Sequence, residues 1–97
     1  MARVSSMSRI SGNGAEAWMR RAETGQPEAL YHLGLMYSTG RDGVPLDYVT
    51  AHKWLNLAAV RGYDPAKALR AELAGDMSRE EIAQAQRLAR EWLRTHH

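Results

Sequence analysis

The residues of this chain best suited to hold a metal or move a proton are its four histidines, His32, His52, His96 and His97. A helical zinc site needs ligands about four residues apart on one face, or cysteine partners. Four residues after His32 stands Met36, and four after His52 stands Asn56. Cysteine is absent, which removes thiolate ligands, disulfides and thiol nucleophiles together. Asp42 and Asp47 flank a Gly-Val-Pro turn, but acid–base work needs two groups in one cleft with environments that separate their pKa values. Asp47 also stands where a helix needs a cap. Gly12-x-Gly14-x-x-Ala17 imitates a dinucleotide fingerprint. That fingerprint requires a strand before it and an acid about 20 positions on. No strand pattern precedes Gly12, and position 37 is Tyr37. No Gly-x-Ser-x-Gly elbow or phosphate-binding loop occurs. The expectation is a chain with no catalysis, no cofactor and no metal.

Trp18, Trp54 and Trp92 could stack on bases, but each falls on the apolar stripe of its helix, so core packing is expected. Charge points the same way. Of 13 Lys and Arg residues, two (Arg3 and Arg9) lie in the first 13 positions with no acid; 11 remain against 11 Asp and Glu. A neutral folded part lacks the clustered cations that nucleic acid rewards. No apolar run approaches the roughly 18 residues of a membrane span, and residues 1–13 contain no apolar core of a secretory signal. A cytoplasmic chain without membrane or nucleic-acid partners is expected.

These residues must be carried by helices. Residues 1–13, rich in Ser, Gly and Arg, read as a disordered tail, and 14–97 as one domain. Five helices are predicted. The first spans 14–24, with Asn13 as cap, Glu16 completing a capping box, and Ala15, Trp18, Met19 and Ala22 inward. The second spans 27–39, begun by Pro27, with Leu30, Leu33, Gly34 and Tyr37 inward. Gly34 costs about 1 kcal/mol of helix propensity, which points to a close helix crossing. The third spans 47–61 behind Asp47, with Ala51, Trp54, Leu55 and Ala58 inward. The fourth spans 64–75, with Asp64 as cap. The fifth spans 78–95, with a Ser78–Glu81 capping box and Met77 placed to staple onto Ile82. Its Ile82, Ala85, Leu88, Ala89, Trp92 and Leu93 make one apolar face.

A period runs through these helices. Ala22, Gly25 and Ala29 recur as Ala59, Gly62 and Ala66, each 37 positions on. Such a period marks stacked helical repeats. The run Ala29-x3-Leu33-Gly34-x-Met36-Tyr37-x2-Gly40-x2-Gly43-Val44-x2-Asp47-x3-Ala51-x2-Trp54-x3-Ala58-Ala59-x2-Gly62 resembles one complete Sel-one-like repeat, a relative of the tetratricopeptide repeats. The resemblance covers 27–62 fully and 14–25 and 64–75 as half-repeats. Lys67, Arg70 and Ala71 depart from it, standing where Leu30, Leu33 and Gly34 stand one period earlier.

The resemblance implies an all-α, right-handed αα superhelix, closed by the fifth helix as a C-terminal cap. It implies an adaptor that binds a protein or peptide. It also implies that the first helix of each pair lines a concave face. On the second helix that face is Glu28, His32, Leu35 and Thr39, with Tyr31 beside it; on the fourth it is Lys67 and Arg70. Glu28, Tyr31, His32, Leu35, Lys67 and Arg70 are therefore the expected partner contacts. Two other roles stay open: self-association, by end-to-end stacking of an array shorter than about three repeats, and weak nucleic-acid binding through the basic tail.

Overall fold

The computed structural model describes residues 15–96. The tail at 1–13, the Asn13 cap, Gly12, Gly14 and His97 lie outside them. Five helices are present: α1 over 15–23, α2 Pro27–Thr39, α3 Tyr48–Val60, α4 Asp64–Ala74 and α5 Arg79–Thr95. The described residues contain no strand. The fold is an all-α helical repeat.

The two turns that carry the period are built alike. Gly25 ends α1 at φ +83° and Gly62 follows α3 at φ +85°. Both lie in the left-handed region that glycine enters at little steric cost. Gly25 N donates to Ala22 O at 2.8 Å, and Gly62 N donates to Ala59 O at 2.9 Å. Gln26 N reaches Arg21 O and Tyr63 N reaches Ala58 O by the same offset. The 37-residue period is thus a repeat of backbone geometry as well as of letters.

The α2–α3 connection is the Gly-Val-Pro segment. Gly40 closes α2, donating to Met36 O at 2.7 Å, and Asp47 N ties the loop back to Tyr37 O at 2.9 Å. Asp47 then caps α3 as expected. Its Oδ1 accepts from Thr50 N at 3.2 Å, and its Oδ2 accepts from Thr50 Oγ1 at 2.8 Å. The Ser78–Glu81 capping box opens α5 with both reciprocal bonds, 2.8 and 3.1 Å.

The start of α4 differs from expectation. Asp64 is its first helical residue and Tyr63 the extended residue before it, with no side-chain cap bond. Once Asp64 takes helical dihedrals its carboxylate cannot reach back over the N-terminus, and it pairs with Lys67 at 3.4 Å instead.

α3 is the centre of the fold. α2, α4 and α5 all pack on it. Eight of its 13 residues are buried, including Ala51, Trp54, Leu55, Leu57, Ala58 and Ala59. A single stripe understates a helix covered on several sides. Gly34 lies at the α2–α3 crossing. A Cβ there would fall inside the contact shell of the Leu55 side chain and stand 3.4 Å from Ala51 O. On α2 Met36 is buried along with Leu30 and Leu33, while Tyr37, expected inward, is half-buried.

Candidate functional site

The six expected partner contacts divide by what they already touch. Glu28 is exposed on the first turn of α2. Tyr31 leans on Tyr63, ring centroids 5.2 Å apart at 49°, which joins α2 to the start of α4. His32 is half-buried and stacks on Trp18 at 4.0 Å and 18°. The Arg21 guanidinium lies 5.0 Å from the same Trp18 ring. His32 therefore belongs to the α1–α2 seam as well as to the surface. Leu35 is half-buried, one turn from the end of α2. Lys67 is exposed beside Asp64, a pairing worth at most about 1 kcal/mol at a wet surface. Arg70 turns away from the others and donates from Nη1 to Asn56 Oδ1 on α3 at 3.0 Å. Among the described residues no hydrogen bond, ion pair or ring contact links Glu28, His32 or Leu35 to Lys67 or Arg70.

That arginine leads to polar residues the sequence reading missed. His52 is 3% exposed and Asn56 is 9% exposed, four residues apart on α3. Asn56 Nδ2 donates to His52 Nδ1 at 3.1 Å. Asn56 Oδ1 accepts from Arg70, so a chain of bonds runs Arg70 to Asn56 to His52. With Nδ1 accepting, the neutral imidazole carries its proton on Nε2. Burial pushes the His52 pKa below its ordinary value, and the Arg70 charge pushes it the same way. Buried polar groups persist when hydrogen-bonded, and this set is.

A signal for it existed. One period earlier, Asn56 and Arg70 correspond to Met19 and Leu33. Both positions are apolar in that period and polar in this one, and the polar side chains bond to each other across the α3–α4 seam.

On another side of α3, Trp54 and Trp92 meet edge to face at 6.3 Å and 76°. Trp54 is 4% and Trp92 is 7% exposed, so both are core residues as expected. Trp18 is half-buried. Lys53 Nζ lies 4.1 Å from the Trp54 ring centroid. Burial holds the Lys53 pKa below its usual range, and Glu91 partly opposes this. Beside this seam α3 and α5 leave an open groove of about 180 Å³, lined by Asn56, Leu57, Val60, Gln86, Ala89, Arg90 and Leu93. Val60 is 66% exposed there.

A Sel1 repeat family model matches residues 27–63. The match runs from the first residue of α2, through the Gly-Val-Pro loop and α3, to the residue that precedes α4. Residues 27–63 are thus similar to a Sel1 repeat, and Sel1 repeats generally mediate contacts between proteins. No curated protein and no solved structure gives a significant match to the chain. Among the described residues no helix is long and apolar enough to cross a membrane, and no three His, Asp or Glu side chains group as a metal site.

Proposed function

We propose that this chain is a protein-interaction adaptor that binds a peptide or protein segment by surface complementarity and performs no chemistry. The observation that carries this reading is the Sel1 repeat at 27–63, folded as a packed α2–α3 pair. Units of this kind bury one another and offer their outer faces to partners. Glu28, Tyr31, His32, Leu35, Lys67 and Arg70 are the proposed contacts, in a cytoplasmic setting. Leu35, Glu28 and Lys67 are its adaptable members. Tyr31, His32 and Arg70 are held by Tyr63, Trp18 and Asn56. Aromatic side chains held in place on the same helix as more adaptable ones suit an anchor residue from a partner.

The test replaces only the free members. Leu35→Asp with Lys67→Ala should remove partner capture from native-host extract at least tenfold, with the melting midpoint within a few degrees of the parent. A photo-cross-linking residue at position 35 should form an adduct with the captured protein. Undiminished capture by the folded double variant, with no adduct from position 35, would move the interface off this face.

A further inference from the structure

We propose that the α3–α5 groove is a second binding surface, and that its occupant is an acidic amphipathic helix of a partner protein. The floor of the groove is apolar, with Leu57 and Val60 one turn apart on α3, and Ala89 and Leu93 one turn apart on α5. This spacing runs along the helix axes, so it suits an elongated apolar edge rather than a single point. A helix with side chains at i, i+3 or i+4, and i+7 presents such an edge. Val60 is one of the two large hydrophobic residues most exposed among those described.

The choice of occupant rests on charge. Arg90 of α5 lines the groove. At about 100° per residue, Arg79 and Arg90 lie on the groove side of an arc of roughly 80° whose far side holds Arg94 and Arg87. The α5 acids Glu80, Glu81 and Glu91 lie beyond that arc, farther from the groove. Arg70 of α4 reaches Asn56, which also lines the groove. The sole ion pair among the described residues is Lys67–Asp64, so none of these arginines is matched by a carboxylate there. Unmatched arginines beside an apolar strip set a preference for carboxylates on either flank of an apolar seam. The apolar floor favours a peptide over a nucleic acid, whose backbone offers charge but no apolar edge.

The inference goes beyond the α2–α4 face, and its test keeps the two apart. The probe is a labelled synthetic helix of about 18 residues, five turns, with leucine at every third or fourth position and glutamate between. Counterparts carry glutamine or lysine in place of glutamate. Anisotropy should show the glutamate peptide binding at least tenfold tighter than the glutamine one, and the lysine one weakest. Amide shifts should move at Val60, Ala89, Arg90 and Leu93. Arg90→Glu and Val60→Asp should each weaken binding tenfold or more, and Arg90→Lys should keep it within about threefold. Equal binding of the three peptides overturns the inference, as does an absence of binding. Displacement by an RNA oligomer that binds more tightly would make the arginine edge a nucleic-acid surface and overturn it too. So would a concentration-dependent mass abolished by Val60→Asp, which would make a second copy the occupant. Shifts confined to Leu35 and Glu28 would overturn the groove while leaving the α2–α4 face standing.

Discussion

Replacing Gly34 by alanine sets helix propensity against packing. Alanine in a helix interior gains about 1 kcal/mol over glycine. At this position the new methyl would overlap the Leu55 side chain, with Ala51 O also at 3.4 Å. Leu55 is fully buried, so it has no solvent to retreat into. Overpacking of this kind costs about 1–3 kcal/mol, so the net change is a destabilisation of about 0–2 kcal/mol. For a domain of this size each kcal/mol lowers the melting midpoint by about 4–8 °C. The decisive assay is a double-mutant cycle in urea. Leu55→Ala alone should cost about 2–5 kcal/mol. In that background the obstructing atoms are gone, so Gly34→Ala should become stabilising by about 1 kcal/mol. The sign reversal is the coupling between the two sites. Should Gly34→Ala have the same effect in both backgrounds, or stabilise the parent, the close crossing of α2 and α3 would not explain the glycine.

Two further outcomes follow from the buried bonds of α3. The His52 pKa is lowered by burial from an ordinary 6.5, so just below pH 6.5 the unfolded chain takes up a proton that the folded chain refuses. Stability should therefore be fully present above about pH 7 and decline as the pH falls from 6.5 toward the lowered folded value; His52→Gln should flatten this decline in melts from pH 7 to 5, and parallel profiles would refute it. Arg70→Ala leaves Asn56 Oδ1 buried without its donor and should cost about 1–3 kcal/mol. Restoring the apolar pair of the preceding period, Asn56→Met with Arg70→Leu, should cost less than Arg70→Ala alone in chemical denaturation. A double variant that is the weaker of the two would mean that the polar pair is not a substitute for the apolar one.

Helices and turns were legible where single residues decide them. Asp47, Ser78 with Glu81, Gly25 and Gly62 act through local geometry, and their neighbours in sequence are their neighbours in space. The face of a helix is harder to read when its covering comes from elsewhere. His32 looks like a surface residue within α2, because nothing inside 27–39 reveals that Trp18 of α1 lies against it. His52 and Asn56 fall outside the stripe at Ala51, Trp54, Leu55 and Ala58, because that stripe records one covered side and α3 has several. Only comparison with Ala15 and Met19, one period earlier, puts them inside. The cap position of α4 lies one residue before Asp64. Tyr63 takes the extended conformation there, and Asp64 spends its charge on Lys67. The α3–α5 groove has no sequence signature, since its walls are 26 or more residues apart.

The bond from Arg70 to Asn56 also bears on how such a chain could lengthen. Repeat arrays grow by tandem duplication, and a copy of residues 27–63 inserted after position 63 would keep both glycine turns in register. Yet the first copy of α3 would then be followed by another α2, which presents Leu33 where Arg70 now stands. Its Asn56 would face a leucine with its carbonyl oxygen unanswered, while the second copy kept the arginine. Two junctions with the same backbone are thereby made non-interchangeable by one pair of side chains. A chain lengthened in this way would need an apolar residue at position 56 in every copy but the last, so the order of units is fixed by this pair of side chains as well as by the backbone.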